Sequence, residues 1–264
     1  GSAGADGLDW PGVIPAAYAA ADGILGGTAY SKWWVTEAGG SGTQPTTTVA
    51  ADFYRCKSCH AWDGLGNAGS YADRTGQSTG KATRPDVASV SLRASVLRET
   101  PTELYNLIAR PTGRTLDAAD NTHPAFDGLL TESQIWNLVK FMREEWVEPT
   151  DLYTMKTEGS VMHWDYSTTP ATLVTPTRTY SDIGIGGDAT RGDTLFANSC
   201  ASCHTADGTG LSMSVGNKVR TKPHEIWLKV KFGEPGSMVP GILTDLQDLK
   251  DLFKALIDTA KYPD

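Results

Sequence analysis

The sequence lacks several features that would place it in other classes of protein. It has no run of the ~18–20 apolar residues that a membrane helix needs, because its best candidate, Val13–Leu25, is interrupted by Asp22 and Gly23. Basic residues are in the minority, with 23 Lys and Arg against 31 Asp and Glu and a net charge of −8. This balance argues against nucleic acid or an anionic membrane as the main partner.

Cysteine is also scarce, with four residues in 264, and a chain of this length can bury a core without disulfides. Hydrophobic residues make up 39% of the chain, and the 28 glycines bring that share to about half. This composition is typical of a globular protein and excludes a disordered or collagen-like chain. The length allows one large domain or two of ordinary size.

All four cysteines lie in two copies of the motif C-x-x-C-H, the attachment pattern of c-type haem. The motif residues are Cys56, Cys59 and His60 in the first copy, and Cys200, Cys203 and His204 in the second. Two thiols one helical turn apart can bond to the two vinyl groups of one porphyrin, and the next imidazole can bind its iron. The sequence therefore predicts two covalently attached c-type haems, with His60 and His204 as proximal ligands.

Two other interpretations of C-x-x-C pairs remain open. A redox dithiol is one, but it would require the setting of a thioredoxin-like βαβ unit, which the sequence does not show. A four-cysteine zinc site is the other, and it would leave both histidines without a role. Neither alternative explains why a His follows each pair.

Three further blocks recur in the same order and indicate an internal repeat. An Asp-Gly-x-Gly turn follows each motif, at 63–66 and 207–210. Pro101 and Pro223 each open an amphipathic helix. A Thr followed three residues later by Gln forms a predicted capping box for a last helix in each copy; the two pairs are Thr131 with Gln134 and Thr244 with Gln247.

This order of motif and helices resembles the class I cytochrome c domain. The resemblance covers about 27–148 and 188–262 and implies an all-α fold with two haem domains in tandem. The predicted organisation is an N-terminal extension (1–26), copy one (27–148), a linker strap (149–187) and copy two (188–264). The first helix of copy two is expected at 187–196. That of copy one is expected at 27–34, displaced from its motif by an insertion at 37–50.

Two other segments lie outside the repeated blocks. Copy one has an additional Gly-, Ser- and Thr-rich loop at 64–90, which is either a passive surface loop or a partner surface. Residues 149–186 contain three prolines and many Thr and Ser, a composition that favours an extended strap over regular structure. Aromatic residues at 153, 164 and 166 suggest that the strap packs against a domain.

The resemblance also implies a sixth iron ligand, most often Met, from the loop between the middle and last helices. In copy two this loop spans 233–240 and contains Met238, which is the predicted distal ligand. Glycine and proline around it suit an irregular backbone. Met213 is the alternative, but it follows His204 closely, in a loop expected on the propionate side of the haem.

Copy one has no Met in the equivalent loop, but it has His123. A loop histidine is more often solvated or hydrogen-bonded than metal-bound. Its position in the repeat nevertheless favours His123 as the distal ligand of the first haem, since it precedes Thr131 much as Met238 precedes Thr244. Weaker candidates are a helically spaced Met and three residues of the strap, namely Met142, Met155, Met162 and His163. His224, at a helix start, is interpreted as a surface or propionate-contacting residue.

These ligand sets predict the order of the two potentials. A thioether ligand raises the potential of a haem and a second imidazole lowers it. The bis-His haem one would therefore pass electrons downhill to the His/Met haem two. With both axial positions of each iron filled by protein side chains, no substrate site remains, so electron transfer is the predicted function and an enzymatic role is the less favoured alternative. The stretches 54–63 and 229–236 also resemble small soluble bacterial dihaem cytochromes that serve respiratory oxidoreductases.

Two alternative functions remain. A dihaem peroxidase also pairs a bis-His haem with a His/Met haem, but its distal His follows the first motif closely, and residues 61–80 contain no His. Other small-molecule oxidoreductases include dihaem thiosulfate dehydrogenases, which use a Cys ligand, whereas all four cysteines here have been assigned. The second alternative is a subunit of a larger cytochrome assembly, such as a filament or an enzyme complex.

Charge and haem attachment lead to expectations about partners and compartment. Propionates make the holoprotein still more acidic, so a redox partner with a basic docking patch is expected, and association should weaken as salt rises. A homo-oligomer is also possible. Haem attachment places the mature chain in the periplasm or outside the cell. Residues 1–12 lack the basic start and apolar centre of a secretion signal, so the signal is not expected within the printed chain.

Overall fold

The computed structural model describes residues 14–44, 55–71, 91–110, 123, 125–159, 163–174 and 176–264. The chain divides into two compact units. Unit one comprises the described residues within 1–146 and 160–176, and unit two comprises 147–159 and 177–264. The predicted insertions at 37–50 and 64–90 lie partly outside the described residues, and Met162 lies wholly outside them.

Unit one is built mainly from helices. They are α1 (Ala16–Ala20), α2 (Gly23–Lys32), α3 (Cys56–His60), α4 (Leu92–Arg98), α5 (Pro101–Ala109) and α6 (Glu132–Lys140), which continues as a π-helical turn over Phe141–Glu145. A short antiparallel pair, β2 (His163–Asp165) with β3 (Thr172–Val174), also belongs to this unit.

Unit two has the same helical core. Its elements are α7 (Pro149–Leu152), β1 (Thr154–Glu158), β4 (Thr177–Ser181), α8 (Ala189–Ser199), α9 (Ala201–His204), α10 (Val215–Thr221), α11 (Pro223–Phe232) and α12 (Leu246–Leu256). Strand β1 pairs antiparallel with β4, with Thr154 opposite Ser181 and Glu158 opposite Thr177. The predicted all-α class with two tandem domains is confirmed.

A close crossing of two helices lies at the centre of each unit. In unit one α2 packs against α6, and a Cβ added to Gly26 would lie 1.9 Å from the carbonyl oxygen of Asn137. In unit two α8 packs against α12, and a Cβ on Gly192 would lie 1.9 Å from the carbonyl oxygen of Asp251. Only glycine permits this approach. Helix α2 is thus the displaced first helix predicted near 27–34, and it begins four residues earlier.

The capping box predicted for the last helix is present in unit one but not in unit two. Thr131 and Gln134 form a complete capping box on α6, and Thr100 and Glu103 form another on α5. The predicted box of Thr244 with Gln247 is wrong. Asp245 caps α12 instead, because its carboxylate accepts both the Gln247 and the Asp248 backbone N–H.

The segment between the copies contains helix and strand, whereas its composition favours an extended strap without regular structure. Residues 149–159 and 177–181 supply α7, β1 and β4, and the alternating Thr, Tyr and Arg of β4 suit a half-exposed strand. The Tyr153 ring packs edge-on against Tyr180 at 5.6 Å. Tyr180 belongs to this same segment, so the contact does not test the prediction that Tyr153 packs against a domain; the prediction is wrong for Tyr166, which is 79% exposed.

Candidate functional site

The first C-x-x-C-H motif forms the short helix α3, which ends directly after its histidine. Ala61 has φ +64°, a left-handed value that turns the chain away from the helix. The buried Tyr30 hydroxyl donates to the Ala61 carbonyl at 2.6 Å, and the Tyr30 ring packs on Phe141 at 5.4 Å. Helix α2 and the π-helical turn therefore fix the backbone next to His60.

The second motif repeats this geometry on α9. Thr205 takes φ +63°, matching Ala61, and the Gly210 N–H donates to the His204 carbonyl at 2.8 Å. His204 is 8% exposed. Burial raises the pKa of the Cys56 thiol to about 12. Burial, with a smaller contribution from neighbouring Cys203, raises that of Cys200 to about 11.

Both motif histidines have a buried Nδ1 atom without a hydrogen-bond partner among the described residues. Burial lowers the pKa of His60 to about 3, with a further contribution from His123, and burial also lowers the pKa of His204. Both imidazoles are therefore neutral at physiological pH. A neutral imidazole in a buried position is the form of histidine that binds a metal ion.

His123 lies close to His60. The two ring centroids are 6.1 Å apart, with 43° between the ring planes. A metal–nitrogen bond is about 2 Å long and a ring nitrogen lies about 1 Å from its ring centre, so two imidazoles on one metal ion are separated by about 6 Å. The observed spacing would accommodate one metal ion between the two rings.

The backbone around His123 is held by Phe126. The Phe126 ring packs against the His123 ring at 5.9 Å, and its N–H donates to the Ile108 carbonyl at 3.1 Å. Phe126 is 5% exposed, so it anchors the loop to the end of α5. Residues 111–122 and Pro124, which complete the predicted ligand loop, lie outside the described residues.

In unit two, Met238 lies in a tight loop after α11. The chain leaves the helix at Gly233, with φ +75°, and the backbones of Glu234 and Met238 pair in both directions, at 3.1 and 2.8 Å. The alternative Met213 is 39% exposed. Of the candidates for copy one, Met142 is 7% exposed and lies in the π-helical turn, and Met155 lies on β1 of unit two.

His224 has a different environment from the one predicted. It is 6% exposed, its ring stacks on Tyr180 at 5.3 Å, and its Nδ1 is 2.7 Å from the Tyr180 hydroxyl. The interpretation as a surface residue is wrong, because the strand β4 covers the start of α11. The sequence could not reveal this contact, since the two residues are far apart in the chain.

A charged cluster on α11 was also missed. Lys229 lies 2.8 Å from Glu225 and 3.3 Å from Glu234. The i,i+4 spacing of Glu225 and Lys229 was the available signal. Among the described residues no group of three or more His, Cys, Asp or Glu side chains could hold a further metal ion. No helix in the same residues is long and apolar enough to cross a membrane.

Comparison with known families agrees with the geometry of both motifs. Residues 48–146 match the family model "Cytochrome c", and residues 187–251 match the model "Cytochrome C oxidase, cbb3-type, subunit III". Searches of curated proteins and of solved structures gave no significant match. The two matched regions contain the two C-x-x-C-H motifs, whereas helix α2 of unit one lies before the first region. The chain is thus a c-type cytochrome with two cytochrome c domains in tandem.

Proposed function

We propose that this chain transfers single electrons between redox proteins by means of two covalently attached haems. The observation that carries the proposal is the facing pair of His60 and His123 in one of two C-x-x-C-H domains. A c-type haem, when bound, accepts and donates one electron reversibly. The six residues proposed to hold the two haems are Cys56, Cys59, His60, Cys200, Cys203 and His204.

The distal ligands in this proposal are His123 in unit one and Met238 in unit two. Burial keeps the imidazole of His60 neutral and therefore able to bind iron. A second imidazole opposite His60 lowers the potential of the first site, and a thioether opposite His204 raises that of the second. Electron flow from the His60 site to the His204 site is therefore downhill.

The proposal extends to compartment and partners. Attachment of haem to cysteine places the mature chain in the periplasm or outside the cell, where respiratory electron carriers act. The net charge of −8 favours a redox partner with a basic docking patch. Electron-transfer rates to such a partner should fall as ionic strength rises, because exposed charges are screened beyond about 10 Å at 0.1 M salt.

The ligand pairs are tested by spectroscopy of the oxidised holoprotein. The visible spectrum should contain a Met–iron charge-transfer band for one haem only, and EPR should show two low-spin centres. Met238→Ala should abolish the band, whereas Met213→Ala is the matched control and should leave it unchanged. His123→Ala should convert the other centre to a high-spin form.

Two results would contradict the proposal. A charge-transfer band that survives in Met238→Ala would exclude Met238 as the ligand. Rapid peroxide turnover by the unaltered half-reduced protein, with loss of the bis-His EPR signal, would instead favour an enzyme that opens its first haem site.

A further inference from the structure

Three charged side chains, Glu225, Lys229 and Glu234, form what we call the Lys229 cluster. Lys229 Nζ lies 2.8 Å from Glu225 Oε1 and 3.3 Å from Glu234 Oε2. All three side chains are only about a quarter exposed, at 22% for Glu225, 26% for Lys229 and 21% for Glu234. The ion pairs are therefore screened less than those on an open surface.

The cluster connects α11 to the loop that contains Met238. Glu225 and Lys229 belong to the helix, whereas Glu234 is the second residue after it. The Glu234 N–H donates to the Met238 carbonyl at 3.1 Å, and the Met238 N–H donates to the Glu234 carbonyl at 2.8 Å. Glu234 is thus held by its side chain to α11 and by its backbone to Met238.

Backbone contacts also hold the loop, since the Gly241 N–H donates to the Lys231 carbonyl of α11 at 3.0 Å. Gly233 and Gly236 both take left-handed φ values, +75° and +81°, and the Ser237 N–H turns back to the Glu234 carbonyl at 2.9 Å. A Cβ on Gly233 would lie 2.5 Å from the Met238 carbonyl oxygen. The loop therefore folds back tightly over the end of α11, and it closes where the backbone of Glu234 pairs with that of Met238.

The equivalent helix of unit one has no such cluster in its sequence. With Pro101 matched to Pro223, the position of Lys229 is occupied by Leu107, which is 47% exposed. The counterpart of Glu225 is Glu103, and its carboxylate accepts the Thr100 N–H at 2.7 Å in a capping box. Helix α11 has no side-chain cap at its start, and Glu225 instead pairs with Lys229.

We infer that Lys229 is a positioning residue for Met238, holding the loop through Glu234 so that the thioether stays opposite His204. This inference rests on the proposed ligand role of Met238. The cluster occurs in the copy with a Met-containing loop and not in the copy where His123 takes that place. Burial disfavours the charge of Lys229, but Glu225 and then Glu234 raise its pKa overall, so the cation persists at physiological pH.

The inference is tested by competition for the sixth ligand position in the oxidised holoprotein. Imidazole is titrated into unaltered protein and into Lys229→Gln, and loss of the Met–iron band is followed. Releasing the loop should make imidazole bind about three- to tenfold more tightly, the size expected for one partly buried ion pair. Lys229→Arg should restore affinity close to the original value. Glu234→Gln should resemble Lys229→Gln, and Glu225→Gln should have a smaller effect because the pair with Glu234 remains.

Lys254→Gln is the matched control, since it makes the same change of charge at an exposed position on α12. If Lys229→Gln and Glu234→Gln bind imidazole as the unaltered protein does, the positioning role is overturned while Met238 remains the ligand. If the unaltered protein has no Met–iron band, or if Met238→Ala keeps the band, both the ligand assignment and the positioning role are overturned. An equal effect in Lys254→Gln would also overturn the positioning role, because the change in net charge would then explain the tighter imidazole binding.

Discussion

The helix crossings of the two units have the same backbone geometry but different polar contacts. In unit one the Asp22 N–H donates to the Asn137 amide oxygen at 2.8 Å. In unit two the Asp188 N–H donates to the Asp251 carboxylate at the same distance, and Arg191 also pairs with Asp251. Both crossings contain a glycine, because the helices approach too closely for a side chain there. The residue of the facing helix that accepts the N–H can be neutral, as Asn137 is, or charged, as Asp251 is.

The sites differ in a comparable way. Unit one places a second histidine 6.1 Å from His60, whereas unit two places a methionine in a loop that an ion-pair cluster ties to its helix. A rigid imidazole held by a packed Phe126 differs from a thioether on a flexible side chain. Under the proposed ligand assignment, the same scaffold carries two ligand chemistries, and each has its own means of support.

The largest expected effect comes from making the second site like the first. Met238→His should lower the potential of the second haem by a few tenths of a volt, because axial ligands move haem potentials over roughly 0.8 V. Redox titration with separate optical signals would measure it. The control is Met213→His, which adds a histidine to an exposed position and should leave both potentials unchanged. An unchanged potential in Met238→His would mean that this side chain does not bind the iron.

The next effect concerns the helix crossings. Gly26→Ala and Gly192→Ala should each lower the free energy of unfolding by about 3 kcal/mol, since the new methyl group would collide with a carbonyl oxygen of the facing helix. Guanidinium unfolding followed by haem absorbance measures this. Gly128→Ala is the control, because nothing lies within 4 Å of its added Cβ. A gain of about 1 kcal/mol, as expected from helix propensity alone, would contradict the close crossing.

The crossings also show how far the sequence predicts the fold. The motifs, the two middle helices and the displaced first helix follow from local signals such as Pro at a helix start or Thr-x-x-Gln. The cap of α12 does not, because the Thr-x-x-Gln pattern at 244–247 is one residue out of register with the structural repeat. Structurally Thr131 corresponds to Asp245, which brings Asn137 into line with Asp251. The Tyr180–His224 contact and the Lys229–Glu234 pair depend on tertiary packing that no local pattern records.

A smaller effect is expected at the buried carboxylate of unit two. Burial favours the protonated form of Asp251, but the Asp188 N–H and the side chains of Arg191 and Gln247 outweigh it and lower its pKa. Because the folded state binds this proton less tightly than the unfolded state, its stabilisation is complete above about pH 4 and is lost as the pH falls through the folded value. Asp251→Asn should cost about 1–2 kcal/mol at pH 7, and less in acid.

Unfolding of this variant at several pH values measures both parts of the prediction. Asp248→Asn is the matched control, because it removes the more exposed partner of Arg191 and should cost less than about 0.5 kcal/mol. Equal costs in the two variants would show that the buried contacts of Asp251 contribute nothing beyond a surface ion pair.

The smallest effect should come from the Asp-Gly-x-Gly turns, which have the same sequence pattern but opposite electrostatics. Asp63 is 2% exposed, and burial raises its pKa despite N–H bonds from Ser70 and Leu65. Asp207 is exposed, and hydrogen bonds from Thr205 and Thr209 lower its pKa. A raised pKa means that the folded state gains stability as pH falls, whereas a lowered pKa means that it loses stability.

Asp63→Asn should therefore change the free energy of unfolding by less than about 1 kcal/mol at pH 7, because loss of one N–H acceptor is offset by loss of a buried charge. Relative to the unaltered protein it should become less stable as the pH falls towards 4. Asp207→Asn should have the opposite pH trend, its deficit shrinking in acid. If the stability of both variants, relative to the unaltered protein, changed with pH in the same direction, the two aspartates would share one environment. The difference in burial between Asp63 and Asp207 would then not govern their pKa values.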